Sequence, residues 1–565
     1  MLRVLSKFVR CYSVCLVLFL LFLSVFIFTS FFLNVYINHW TLITAFILFV
    51  VFLAAYVGAY RRNRLNILFL TIGLAITPIL FWGATTMFAH TYDTSFDGQN
   101  YHQSAVIELS SKWNPIYEKT PPVGLPRKVT LTIDNGYPKT TWSIEASIYK
   151  LTHNIDSATV INMVIGLLAL AFLYYALKSL DMKSGWAVVT ALLSVITAVY
   201  LQQFFTFMED ALSYEWLLIG VSSLILIVKN KRSKLPYLLC LLASFIFMAG
   251  TKYSNLFIFL GLLAGVLYIT LQYDLFKLKS FKFTLILGII IAILTLTNPY
   301  ITNTYRFNAI DYPMNQKGLA SSLRFSGVPL NIKNDDSLKL FYYGIFSAAE
   351  TGNAQLPAND AHLKIPFTFT NQELNNEASA IPELVGGYGV LFSGIFSLSV
   401  ASYLYLLIRK KSKYEMTAFA WLSFVLGLII ATCLLSPIPS YARQNSQLAL
   451  LPIAIIVALL LTGKGKWRAE KIIAIAMTVL MLANIFLAAV PVCTLRHKEF
   501  NSINTQLVSL RDTHKTYAVH TSIFYSSYLK LRSHGVRIVI SKRPIKCPNE
   551  VTLDYTSNST KLCEL

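Results

Sequence analysis

RRNRLNILFLTIGLAITPILFWGATTMFAHTYDTSFDGQNYHQ, residues 61–103, holds in one stretch the pattern that decides the fold. Three arginines open it, an apolar run over 66–89 follows, and two aspartates, two histidines and three aromatics crowd in directly behind. A bilayer interior offers no water to backbone N–H and C=O groups, so an apolar run of this length must be a helix that satisfies its own hydrogen bonds. The charged flanks place one end of that helix at each membrane surface.

Runs of the same kind recur outward in both directions. Hydrophobic residues make up 55% of the chain and charged ones 13%, which excludes a soluble globular protein and points to an all-α polytopic membrane protein. The runs predict about thirteen transmembrane helices, near 11–34, 41–60, 66–89, 156–178, 186–204, 211–228, 236–251, 254–271, 283–299, 389–408, 416–435, 447–463 and 472–491. The first is too long, and lacks a small-residue cleavage site, for a removed signal peptide, so it reads as an anchor. The formal net charge of +21 would suggest a nucleic-acid partner in a soluble protein. Here the membrane accounts for it and no nucleic acid is expected. With the N-terminus in the cytoplasm, RRNR (61–64), KNKRSK (229–234), KLKSFK (277–282), RKKSK (409–413) and GKGKWR (463–468) all fall on the cytoplasmic face, as the positive-inside rule expects.

This orientation puts two long polar segments, 90–155 and 300–388, on the opposite face. The division of the chain is then a membrane domain over 1–491 and a small C-terminal α/β segment over 492–565, also on that face. Loops this long in a compact architecture carry function. Within the first, Tyr101, Ala105, Leu109 and Trp113 recur at helical spacing and predict an amphipathic helix on the membrane surface. PPVGLP (121–126) breaks the chain, and TTWSIEASIYKLT (140–152) suits either a second surface helix or a strand. The tail, YAVHTSIFYSSYLKLRSHGVRIVIS (517–541), reads as a small β-α-β unit. Of seven cysteines, Cys493, Cys547 and Cys563 follow the last apolar run; one disulfide is expected there, with Cys547–Cys563 the favoured pair, and one thiol is left over.

Two acidic sites open onto the same face. Asp93 and Asp97 stand four apart with His102 five further on, and QQFFTFMEDAL (202–212) brings Glu209 and Asp210. Two carboxylate sites on one cavity suit a reaction that needs a general base for an acceptor hydroxyl and a second group to orient it or hold a metal. The plainer alternative is a hydrated turn in which Asp97 caps a helix starting near Gly98, with Glu209 and Asp210 favouring a helix N-terminus. Lys252, Arg306, Lys317 and Arg443 lie close to span ends on that face. They could hold the phosphate of a lipid-linked donor, or snorkel towards headgroups. Tyr101 and Trp142 could form a sugar-stacking platform, although aromatics gather at membrane interfaces anyway. GGYG (386–389) permits close backbone approach. No Walker motif, GxSxG, HExxH or DxD-type nucleotide-sugar domain is present, which argues against a nucleotide-sugar donor.

YDTSFDGQNYHQ, NGYPKTTW, QQFFTFMEDAL, NPYITNTYR with DYP, GGYGVLF and ARQNSQ, in that order over about residues 66–465, resemble motifs of bacterial envelope glycosyltransferases of the GT-C class. More distantly the pattern is similar to protein O-mannosyltransferases and lipid A aminoarabinose transferases. The resemblance implies a GT-C-like fold with periplasmic loops, in a bacterial inner (plasma) membrane. It implies an inverting transfer of a hexosyl or pentosyl group from a polyprenyl-phosphate-linked donor to an envelope glycan or lipid. Asp97 is the implied catalytic base, Asp93 the alternative and Asp210 the second acid. His102, Glu209, Tyr101, Lys252, Arg306, Lys317 and Arg443 are left for substrate. Some members of the class use a divalent cation and others do not. This chain carries its acidic loop after the third span rather than the first, so both Asp93 and Asp97 stay candidates for the base. An O-antigen polymerase or ligase would rest on the arginines rather than on Asp97. A lipid-linked glycan flippase or transporter would need charges deep in the spans and a two-fold repeat, and the chain shows few of the former and none of the latter.

Overall fold

The computed structural model describes residues 2–60, 64–121, 133–230, 234–314, 328–351, 360–378, 383–409, 413–462, 469–521, 524–541, 543–554, 556 and 560–565. The protein is mostly helical, and each expected apolar run contains a helix. The first three are α1 (Leu2–Phe32), α2 (Thr41–Tyr60) and α3 (Arg64–Phe88). The first long segment supplies α4 (Gln103–Ser110) and α5 (Thr140–Thr152). Then come α6 (Val160–Ser179), α7 (Ser184–Val195), α8 (Ala198–Gln203), α9 (Asp210–Lys229), α10 (Leu235–Thr251), α11 (Leu256–Gln272) and α12 (Lys279–Leu296). The second long segment carries α13 (Thr302–Phe307), α14 (Ser337–Phe346) and α15 (Asn371–Ala378), and the rest of the bundle is α16 (Phe392–Arg409), α17 (Lys413–Leu435), α18 (Leu450–Thr462) and α19 (Ala469–Asp512).

Among the described residues eight helices are long and apolar enough to cross a membrane, and five shorter apolar helices of 10–17 residues fill the other expected positions. One expected span, 186–204, is not a single helix. α7 ends at Val195, Ile196 leaves helical geometry, and the Thr197 hydroxyl accepts the Tyr200 N–H 3.2 Å away to start α8 as a separate turn. At 1.5 Å per residue, the 12 residues of α7 cover about 18 Å of a hydrocarbon core about 30 Å thick. The last span also departs from expectation: α19 runs 44 residues through Pro491 to Asp512, so the expected boundary at 491 lies inside a continuous helix.

The two helices of the first long segment are not surface helices. Every residue of α4 is buried, as is α5 from Thr140 to Ile148. Trp113 and Trp142 belong to the largest apolar core, with α1, α6, α9 and α10. Alternation in TTWSIEASI therefore reflects burial on all sides of a helix, not a strand.

Beyond α19 the chain forms a four-stranded sheet ordered β4-β3-β6-β5, from β3 (Thr516–Thr521), β4 (Arg537–Ile540), β5 (Glu550–Thr552) and β6 (Thr560–Glu564), numbered after the short pair β1 (Glu350–Thr351) and β2 (Glu383–Val385). β3 and β4 are parallel and joined by α20 (Ser526–Ser533), the expected β-α-β crossover. Cys547 and Cys563 form a disulfide, and Cys493 is free and exposed.

The GGYG stretch sets the loop before α18. Gly386 N–H donates to Ser440 O and Gly386 O accepts from Ala442 N–H, each at 3.2 Å. Gly389 has φ +95, and a Cβ there would meet Asn484 Nδ2 at 2.4 Å. Asn484 in turn donates to Tyr388 O at 2.9 Å and accepts from Leu391 N–H at 2.8 Å. Gly389→Ala is expected to destabilise the protein by about 1–3 kcal/mol, read as a lowered Tm of the purified protein. An unchanged Tm would show that the turn relaxes freely.

Candidate active site at one end of the bundle

The connections following α3, α8, α10 and α12 and preceding α18 meet at one end of the bundle. Asp93 ties two of them together. Its Oδ1 accepts the Ser95 N–H at 2.8 Å and the Ser95 hydroxyl at 2.6 Å, and its Oδ2 accepts the Phe207 N–H at 2.8 Å. A Cβ on Gly98 would sit 1.9 Å from Asp93 Oδ2, so only glycine lets the chain turn tightly around this carboxylate. Asp93 is fully buried, and burial pushes its carboxyl up against the opposing pull of these bonds.

That turn brings Asp97 to a different partner in the bundle. It precedes a π-helical turn, Gly98–His102, but makes no side-chain cap bond, so the capping alternative does not hold. Its Oδ2 instead accepts from Arg443 Nη2 at 2.9 Å. The Asp97 side chain keeps 21% of its surface accessible, against 2% for Asp210, which makes Asp97 the acid a substrate can reach.

Arg443 joins the two acidic sites. Its Nε lies 3.9 Å from Asp210 Oδ2, and Lys252 Nζ holds the other Asp210 oxygen at 2.7 Å. Gln203, which composition gave no reason to select, donates to Asp210 Oδ2 at 3.4 Å while its Oε1 accepts the Ala211 N–H at 2.9 Å. The Arg443 guanidinium lies over the Tyr441 ring, 4.9 Å from its centroid, and its Nε makes no hydrogen bond among the described residues.

His102 and Glu209 lie behind this cluster, both sealed. Trp142 Nε1 donates to His102 Nδ1 at 2.8 Å, which fixes the proton of a neutral imidazole on Nε2. Burial, followed by the Lys252 charge, brings the imidazole pKa down to about 3. Its 3.7 Å approach to Glu209 Oε2 is therefore not an ion pair. Burial, reinforced by Glu145, pushes the Glu209 carboxyl well above the usual carboxylate range. Tyr101 is buried in an aromatic wall with His102, Tyr137 and Trp142, the Tyr137 and Trp142 rings being stacked at 6.2 Å. Lys139, also buried, donates to Asn135 O at 3.1 Å and Tyr137 O at 2.8 Å and so fixes the NGYP turn; burial brings its ammonium pKa down to about 7.

Two expected cations stand apart. Arg306 spends its guanidinium on the first long segment, donating to Pro115 O at 3.1 Å, Glu118 O at 3.3 Å and Ile116 O at 2.6 Å. It fastens a loop. Lys317 lies outside the described residues. The open question of a metal meets a poor fit: Asp97 and Asp210 are already compensated by Arg443 and Lys252. Among the described residues no three His, Cys, Asp or Glu side chains gather as ligands.

A cavity of about 1010 Å³ lies among α6, α9, α11, α17 and α18. Leucines such as Leu217, Leu224 and Leu262 make its walls. Thr432 and Gln447 line the end nearest Arg443, whereas Arg409 and Glu470, paired at 2.7 Å, line the far end.

No family model matches the chain, and no curated protein matches it. Among solved structures it is similar to ArnT from Cupriavidus metallidurans in the apo state, at 11% identity and a TM-score of 0.34, over 82% of this chain and 85% of that one. A likeness this weak carries no conclusion about activity, which has to rest on the site.

Proposed function

We propose that this protein is a GT-C-type membrane glycosyltransferase of about thirteen spans. In this reading the N-terminus is cytoplasmic and the acidic loops and C-terminal unit are periplasmic. It moves a sugar from a polyprenyl-phosphate-linked donor to an envelope glycan or lipid. One observation carries the reading: a reachable carboxylate, Asp97, shares an arginine with a lysine-paired aspartate, in a bundle that also encloses an apolar cavity. An acid–cation cluster in the same bundle as an apolar cavity suits a ligand with an anionic head and a hydrocarbon tail.

In the proposed step the donor's phosphate draws Arg443 through its spare Nε–H, which loosens its bond to Asp97. Asp97 then accepts the proton of the acceptor hydroxyl as that oxygen attacks the anomeric carbon, with inversion. The bond from the anomeric carbon to the phosphate oxygen breaks, and Arg443 and Lys252 stabilise the departing phosphate. Asp97 rather than Asp93 is assigned as the base because Asp93 is sealed and already accepts three hydrogen bonds. Arg306 has no part in the step.

Mass spectrometry of surface glycans from cells with and without the protein is expected to show loss of one sugar. The purified protein in nanodiscs is expected to transfer from a polyprenyl-phosphate sugar and not from a nucleotide sugar. An unchanged glycan profile together with no transfer from lipid-linked donors would rule the proposal out.

A further inference from the structure

Tyr92, which precedes the acidic turn, is a core residue of the C-terminal unit. It is 1% exposed and packs with Leu507, Val519, Leu531 and Leu562, and its hydroxyl meets His534 Nε2 at 3.0 Å. Two residues on, the Thr94 hydroxyl donates to Glu499 Oε2 at 3.0 Å. Two further on, the Phe96 ring meets Phe524 edge-on at 5.6 Å. Asp93 and Asp97 turn the opposite way, to Phe207 and Arg443. Residues 92, 94 and 96 thus face the C-terminal unit while 93 and 97 face the helical bundle.

A buried ion pair locks this arrangement. Lys530 Nζ of α20 lies 3.2 Å from Asp156 Oδ1, with both side chains almost fully buried, and the Asp156 carboxylate takes the Asp93 backbone N–H. Lysine and aspartate stay together in such surroundings only when paired, because either one alone would be a desolvated charge. Arg496 of α19 completes the seam, bonding Glu499 at 2.8 Å and Gln202 O at 3.4 Å. The C-terminal unit therefore grips both acidic loops.

We propose that the C-terminal unit is a positioning element for Asp97: through the Lys530–Asp156 pair and the Tyr92, Thr94 and Phe96 contacts it aims the Asp97 carboxylate at Arg443. This rests on the reading of Asp97 as the base. A misplacement of about 1 Å in a reacting group can cost about 100-fold in rate. Lys530→Met is therefore expected to lower kcat per folded enzyme at least about tenfold, with KM for a polyprenyl-phosphate sugar within about twofold of wild type. Lys530→Arg, which keeps the charge, is expected to recover most of the rate. Thr94→Cys with Glu499→Cys, in a Cys493→Ser full-length background, is expected to cross-link with a short thiol reagent, and to do so less when Lys530→Met is added.

Wild-type kcat in Lys530→Met would overturn the proposal, whether or not cross-linking falls. If Lys530→Met does not fold, Tyr92→Phe, which removes only the hydroxyl facing His534, takes its place; a fall in kcat of about threefold at unchanged KM supports the proposal, and no change overturns it. Wild-type transfer by Asp97→Asn would instead remove the base reading itself. Asp97→Asn, which leaves the contacts with the C-terminal unit in place, tells the two failures apart.

Discussion

Asp97→Asn is expected to lower transfer from a lipid-linked sugar by about 10²–10⁴-fold, the usual contribution of a general base, at unchanged folded yield. Asparagine fills the same volume and its Oδ1 still accepts the Arg443 N–H seen at 2.9 Å, yet it cannot take a proton. Arg443 keeps Asp210 as a second carboxylate at 3.9 Å, so the substitution does not strand its charge. Asp93→Asn should behave in the opposite way. A neutral amide placed where two oxygens accept from Ser95 and Phe207 leaves its NH2 donor facing a backbone N–H, and the damage appears in Tm more than in rate per folded enzyme. Single-turnover transfer with polyprenyl-phosphate sugar, set beside thermal unfolding, separates the two aspartates. A wild-type rate for Asp97→Asn would end its assignment as base.

Lys252→Met carries the second large effect, this time on stability. Asp210 has 2% of its side chain exposed and its cations are Lys252 at 2.7 Å and Arg443 at 3.9 Å. Removing the nearer one strands a desolvated carboxylate, at a cost of about 3–5 kcal/mol. Adding Asp210→Asn to Lys252→Met neutralises that carboxylate and should recover a large part of the loss, a coupling that a double-mutant cycle measures directly. Two independent, additive losses would show that the pair is not the unit the geometry describes.

Local pattern carried much of the architecture. The apolar runs imposed helices because backbone groups in lipid must be satisfied within the segment, and the strand-helix-Gly-strand rhythm of 516–540 was enough for a parallel β-α-β unit. The same reasoning failed where burial came from all sides. Tyr101, Ala105, Leu109 and Trp113 have the spacing of one face of a surface helix, yet α4 is enclosed throughout, because α5 and α20 pack against it and cover what periodicity leaves open. The break at Ile196 was hidden for a related reason: the residues around it are as apolar as a span, and only the Thr197 cap ends the helix.

By itself the sequence determined that this is a helical membrane protein with two acidic loops and a small α/β tail, since each of these follows from residues near one another in the chain. Only the tertiary structure decided which aspartate is reachable and which arginine serves it. Asp93 is sealed by a backbone N–H 114 residues away, and Asp97 is paired with a guanidinium 346 residues away. Arg306 and Arg443 look alike as span-end cations until their partners are seen, three carbonyls for one and two carboxylates for the other. The physical reason is that exposure and charge pairing are properties of contacts between distant segments, whereas hydropathy and propensity are properties of the residues themselves.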